Sequence, residues 1–178
     1  MKILDIGCGN NKYKSNNQKD KIIGLDIVKL AGVDVVHDLE KFPWPFKDDE
    51  FDLIIANHIL EHLSDLIKTM EEIHRVGKPN SLLKVKVPYF AYPGAFQDPT
   101  HKRFFTLRTF EYFTDSSGLR YYSKARFEII ESKLNFSVTK PVKIIDILIN
   151  KFPRFYERFL SRIIPAEELC ITLKILKK

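Results

Sequence analysis

The sequence predicts an α/β fold built on one sheet of about seven strands, and three observations carry that expectation. The chain opens on an apolar segment, Lys2 to Ile6, that breaks at once into the glycine loop Gly7-Cys8-Gly9-Asn10-Asn11. A second apolar segment ends on Asp26, nineteen residues after Gly7. Further short apolar runs then follow, separated by only a few segments with helical spacing. Glycines at the end of a first strand let backbone pass close to a ligand, and an acid closing the second strand can accept hydrogen bonds from ribose hydroxyls.

Taken in order, the strands are expected at Lys2 to Ile6, Ile22 to Asp26, Val33 to Asp38, Phe51 to Asn57, Leu82 to Val87, Phe127 to Ser132 and Glu168 to Leu176. The strongest helix begins near Ser64 or Asp65 and carries Leu66, Ile67, Met70, Ile73 and His74 on one stripe, with Gly77 and Pro79 as stop signals. A second helix is expected from Thr106, with Phe105 and Phe110 as a hydrophobic staple, ending before Ser116-Ser117-Gly118. The stretch Ile144 to Ile164 has helical spacing between Pro153 and Pro165, so a helical insertion is expected at about 141–165. The links on both sides of the third strand are too short or too proline-rich for full helices, and Met1 directly precedes the first strand. Shortened or missing helices around the third strand are therefore expected, leaving that edge thinly covered and open to self-association.

At 178 residues the chain fits a single domain, 1–178, with room for one sizeable core. No apolar run approaches eighteen residues and no charged leader precedes a hydrophobic stretch, so a cytoplasmic protein is expected. The two cysteines, Cys8 and Cys170, form neither a disulfide framework nor a metal-ligand spacing and read as small buried side chains. Residues 1 to 100 hold 13 Lys/Arg against 15 Asp/Glu, and residues 101 to 178 hold 16 against 8. The basic surface thus falls in the second half, where it could attract nucleic acid or an anionic membrane surface, although the charges are spread out.

A dinucleotide site would want a third glycine where Lys12 stands. The order Asp5-x-Gly7-x-Gly9, then Gly24-Leu25-Asp26, then Asp38-Leu39, then Phe51-Asp52-Leu53-Ile54 continuing to Leu60-Glu61-His62, resembles class I S-adenosylmethionine (SAM)-dependent methyltransferases, in a compact type 11-like form. The resemblance implies a Rossmann-like sheet whose last strand is antiparallel, and SAM as cofactor. It implies that Gly7 and Gly9 approach the amino-acid portion of SAM and that Asp5 anchors its ammonium. Asp26 would take the ribose hydroxyls, Asp38 the adenine amino group, and the Leu39 backbone a ring nitrogen. Asn57 and His58 would face the sulfonium methyl. Read on their own, Gly7 and Gly9 can also be turn glycines, and Asp26 and Asp38 turn acids at strand ends.

Methyl transfer from a sulfonium is an in-line displacement, and a hydroxyl acceptor gains from a positioned base. His58 and His101 are the candidates. The segment Asp98-Pro99-Thr100-His101-Lys102-Arg103-Phe104-Phe105-Thr106 resembles one that lies over the acceptor pocket in the same branch, with Tyr89, Tyr92, Arg103 and Phe104 as expected pocket wall. His101 can equally tie its loop to the sheet, and His62 can simply orient a helix start. A metal site is not expected, since His58 and His62 do not form a helical ligand pair. The expected function is transfer of methyl to a small-molecule, glycan or lipid-type acceptor. The alternatives are a nucleic-acid methyltransferase, disfavoured because no Asn/Asp-Pro-Pro-aromatic loop follows the fourth strand, and a non-catalytic SAM-binding or partner-binding protein.

Overall fold

The computed structural model describes residues 1–136 and 143–177. Seven strands form one sheet in the order β3-β2-β1-β4-β5-β7-β6. They are β1 (Lys2–Ile6), β2 (Lys21–Asp26), β3 (Val35–Val36), β4 (Phe51–Asn57), β5 (Gly77–Pro88), β6 (Phe127–Asn135) and β7 (Glu168–Ile175). The neighbours from β3 to β5 run parallel, and β7 is antiparallel to both β5 and β6. The expected seven-strand class I sheet with an antiparallel last strand is what forms.

Helix α1 (Leu66–Val76) is capped by Asp65, whose Oδ1 accepts from Lys68 N–H at 3.0 Å. It buries Leu66, Met70, Ile73 and Val76 against the sheet, and each such large side chain contributes ~1.5–3 kcal/mol on burial. Gly77 stops the helix, but it also starts β5 five residues before the expected Leu82. A Cβ on Gly77 would stand 2.2 Å from Ile175 Cδ1, so a larger residue at this stop position would strike a β7 side chain. In front of α1, Glu72 Oε1 accepts from Trp44 N–H at 2.6 Å, and Arg75 donates to the Trp44 and Phe46 carbonyls. That network fixes the proline-rich link between β3 and β4 without a helix.

The expected third strand shrinks to two residues, with flanking bonds from Asp34 N–H to Gly24 O and from His37 N–H to Asp26 O, both 2.9 Å. Ile27, Val28 and Val36 are exposed at this edge. The helix expected from Thr106 is instead a 3₁₀ turn over Thr109–Phe113. The physical reason lies in the spacing: Leu107, Phe110 and Phe113 are all buried and recur every three residues, the period of a 3₁₀ helix and not of an α-helix. The Phe105–Phe110 contact still forms, with ring centroids 5.6 Å apart. A short helix that the spacing did not reveal, α2, spans Gly94–Gln97.

The insertion divides at Pro153 into α3 (Lys143–Lys151) and α4 (Pro153–Phe159); residues 141 and 142 of its expected span lie outside the described residues. Tyr156 is buried and its hydroxyl bridges the Ile164 carbonyl and Ala166 N–H, both at 2.7 Å. Ile147, Leu148, Phe152, Phe155, Phe159 and Ile163 point to solvent. No helix among the described residues is long and apolar enough to cross a membrane.

The two faces of the sheet differ. One holds the main core, from Leu4, Ile6 and Leu25 through Ile54, Leu83 and Val85 to Leu169, Ile171 and Leu173. On the other, Ile3, Leu53 and Ile55 form a small cluster under Tyr13. Farther along that second face, Lys84 and Lys86 of β5 and Lys133 of β6 are exposed, and Thr172 and Lys174 of β7 are half-buried. The link from β1 to β2 also lacks a helix, so the reduction extends beyond the surroundings of the third strand. Parallel strands covered on both faces read as continuous apolar runs; here β5 alternates buried and exposed instead.

Candidate active site

The glycine loop leaves β1 through two left-handed residues, Gly7 (φ +64°) and Gly9 (φ +51°). They do different work. A Cβ on Gly7 would stand 2.4 Å from Ile59 Cγ1, so Gly7 is where the loops after β1 and β4 meet. A Cβ on Gly9 would meet nothing within 4 Å, leaving open space over that part of the loop. Gly9 N–H donates to Asp26 Oδ2 at 2.9 Å, and Val28 N–H donates to Asp26 Oδ1 at 3.0 Å. Two backbone bonds thus orient the carboxylate and leave further lone pairs to accept from a ligand.

Asp5 is buried on β1, and its Oδ2 accepts from Tyr13 N–H at 2.6 Å. Burial raises its pKa to about 6, against the lowering pull of the Tyr13 bond and Lys12. Lys12, standing where a third glycine would close a dinucleotide loop, pairs with Asp34 at 2.8 Å, while Asp34 also takes Gly24 N–H at 2.7 Å. This strap holds the loop against β2 without a following helix. Asp38 is half-buried and accepts from Glu40 N–H at 3.0 Å; Leu39 is buried, with its carbonyl taking the Trp44 indole N–H at 3.1 Å. Open space at Gly9, an oriented Asp26 and a buried Asp5 make a cradle that fits a nucleoside carrying a cationic amino acid.

His58 follows β4 in a left-handed conformation (φ +49°), with its N–H bonded to the Lys86 carbonyl at 2.8 Å. Its Nε2 meets Glu168 Oε1 at 2.7 Å, and its Nδ1 approaches Glu61 Oε1 to 3.4 Å. Glu168 first and Glu61 second raise the His58 pKa to about 9. Burial pushes Glu168 up, but the bonds from His58 and Cys170 and the nearby Lys86 charge outweigh it, and its pKa falls to about 2. His58 is therefore a cation at neutral pH and suits anion contact better than proton abstraction. Asn57 is exposed and lines a different cavity, on the second face of the sheet with Tyr13 and Lys86.

His58 instead opens onto a cleft of about 610 Å³ shared with Glu61, His62, Gln97, Asp98 and His101. His101 Nδ1 donates to the Ala95 carbonyl at 2.8 Å, and its ring packs edge-on to His62, centroids 4.8 Å apart. Of the expected pocket wall, Tyr89 is fully buried and donates its hydroxyl to Glu157 at 3.1 Å; burial, with Glu157 beside it, pushes its ionisation far up. The same Glu157 carboxylate takes Leu107 N–H at 2.9 Å, so α4 pins the front wall. Arg103 spends its guanidinium on the Leu63 and Ser64 carbonyls, tying its loop to the turn before α1. Tyr92 is half-buried beside Gly94, and Phe104 is exposed and stacked on Phe96 at 4.3 Å.

Sequence reasoning did not single out Glu61, Glu157 or Glu168. For Glu61 a signal existed in the spacing His58-x-x-Glu61-His62. For Glu157 and Glu168 there was none, since each of these contacts spans fifty or more residues of chain.

The Methyltransferase domain family matches residues 4–85, the part of the chain that forms the cradle. Among curated proteins, a bifunctional methionine biosynthesis protein, MetXA/MetW, from Rhodopirellula baltica is 26% identical over 109 residues, covering 51% of this chain and 17% of its own length. A probable tRNA methyltransferase 9B from Bos taurus is 32% identical over 95 residues, covering 48% and 21% respectively. The chain thus spans well under a third of the length of these relatives. A SAM-dependent methyltransferase from Archaeoglobus fulgidus superposes with a TM-score of 0.63 at 20% identity, over 97% of this chain and 85% of the other. The chain has the fold of class I SAM-dependent methyltransferases, and its residues 4–85 match the Methyltransferase domain family.

Proposed function

We propose that the protein transfers a methyl group from SAM to a small-molecule, glycan or lipid-type acceptor. The observation that carries this reading is the contact of Gly7 with Ile59, which joins the acid-rimmed glycine loop to the loop that opens the histidine cleft. The two loops leave neighbouring strands at paired residues, Ile6 and Ala56, so cradle and cleft are one strand apart. SAM supplies an electrophilic methyl on a sulfonium. Asp26 and Asp38 orient the nucleoside, Asp5 holds the amino end, and the 89–105 segment shields the acceptor side from water. With the groups fixed in line, positioning accounts for most of the rate. A thermal shift with SAM, S-adenosylhomocysteine and NAD tests the cofactor half. SAM and S-adenosylhomocysteine should raise the melting temperature by linkage and NAD should not, and Asp26→Ala should abolish the shift. No response to SAM at millimolar concentration would sink the reading.

A second reading, methylation of RNA, has specific support in the exposed lysines Lys84, Lys86 and Lys133 on the open sheet face and in a relative named as a probable tRNA methyltransferase. It requires RNA binding that weakens steeply with salt, together with methyl counts appearing in RNA. Salt-insensitive or absent RNA binding would leave the small-acceptor reading alone.

A further inference from the structure

Glu61 is 1% exposed, and neither of its carboxylate oxygens has a hydrogen-bond partner among the described residues. His58 Nδ1 stands 3.4 Å from Oε1 without the geometry of a hydrogen bond, and Oε2 is left over. The His58 cation offsets part of the Glu61 charge at Oε1, but among the described residues Oε2 has neither donor nor opposite charge beside it. A buried carboxylate oxygen in that condition is costly, since ions in protein interiors are held by hydrogen bonds, by opposite charge or by a metal. Glu61, His62 and His101 each bring one ligand-capable atom within 4.8 Å of the others.

The two imidazoles are prepared for the same task by the groups behind them. Asp98 Oδ1 can only accept, so Thr100 Oγ1 gives it its single hydrogen at 2.6 Å. Thr100 must then accept from His62 Nδ1–H, 2.9 Å away. His101 Nδ1–H is likewise committed, to the Ala95 carbonyl at 2.8 Å. Both rings therefore keep Nε2 free as a lone-pair donor, with the opposite nitrogen anchored, which is the arrangement that orients histidine ligands of metals. Asp98 Oδ2, 3.9 Å from His101 Nε2, adds negative charge at the rim.

We propose that Glu61, His62 and His101 form a site for a divalent first-row transition ion at the floor of the cleft. One carboxylate and two imidazoles suit zinc, cobalt or manganese better than magnesium or calcium, which favour all-oxygen sets. Three protein ligands leave positions open toward the cleft, so the ion would hold an acceptor through oxygen. The expectation of no metal rested on His58 as the partner of His62; this set uses Glu61 and His101 in its place. The ion's role toward an acceptor rests on the methyltransferase reading, whereas its binding does not.

The test uses chelator-stripped full-length protein titrated with Co²⁺ alone, read by visible absorption and by equilibrium dialysis. One Co²⁺ per chain is expected, displaced by Zn²⁺ and not by equimolar Mg²⁺. His101→Ala and Glu61→Gln should each weaken binding at least tenfold, and His74→Ala, whose ring bonds the Leu176 carbonyl, should not. If Glu61→Gln does not fold, half-buried His62→Ala serves in its place with the same expectation. No retained ion, or retention unchanged in the variants, overturns the proposal. The thermal shift with SAM separates the two readings: a protein that responds to SAM but holds no Co²⁺ loses the metal site only, and one that holds Co²⁺ but ignores SAM loses the methyltransferase reading only.

Discussion

His58 Nε2 and Glu168 Oε1 meet at 2.7 Å, joining the end of β4 to the start of β7 across β5. The pair sets the ring of His58 at the mouth of the cleft and closes the sheet where its parallel part turns antiparallel. Replacing Glu168 by Gln keeps the shape and removes the charge. Because the His58 side chain is 48% exposed, solvent screening reduces the gain, and a loss of about 1 kcal/mol is expected. For a chain of this size that is a fall of roughly 2–4 °C in melting temperature. An unchanged melting temperature would show that the pair contributes nothing.

Asp5 is expected to make SAM binding depend on pH. Its folded pKa, about 6, lies above the ordinary 3.8 because burial disfavours the ionised form. The contribution of Asp5 to the stability of the free protein should therefore fall as pH rises from about 3.8 to 6 and level off above that. SAM, with a cationic amino group, should favour the ionised carboxylate, so its affinity should rise through pH 6 and then plateau. Calorimetric titrations between pH 5 and 8 measure this, with Asp5→Asn expected to flatten the profile. An already flat profile in the unaltered protein would remove Asp5 from the ammonium site.

Gly7→Ala and Gly9→Ala should separate packing from ligand contact. Both add ~1–2 kcal/mol of left-handed strain. At Gly7 the new methyl also strikes Ile59, so the larger loss of stability should appear there in urea melts. At Gly9 the methyl enters open space, and the larger loss should be in SAM affinity. Equal effects on both measurements would argue against the division.

Phe110 is fully buried at the centre of the three-residue spacing. Phe110→Ala should cost about 3–5 kcal/mol, near the whole stability of a marginal domain. Soluble, cooperatively melting Phe110→Ala protein within 1 kcal/mol of the parent would contradict the packing described.

The cradle was legible because its chemistry is local. Gly7, Gly9 and Asp26 announce themselves by residue type and by position at strand ends, and β1 and β4 form at the expected residues. The acceptor side was not, because its geometry depends on distant partners. Tyr89 and Arg103 have side chains that suit a pocket wall, yet Glu157 and the Leu63 and Ser64 carbonyls claim them from other parts of the chain. The turn around Phe110 failed for a different reason: a staple contact forms equally well over an α-turn or a 3₁₀ turn, and only Leu107 and Phe113 decide which.

The open sheet face has a consequence for how the chain can change. In a sheet covered on both sides every strand position is committed to packing, whereas Lys84, Lys86 and Lys133 are attached to the sheet without being part of its core. Those positions can accept new charges, rings or binding partners with little effect on folding. The face left uncovered among the described residues is thus a broad, rigid surface, ordered by the same strands that aim the cradle, where side chains can change without disturbing the glycine loop.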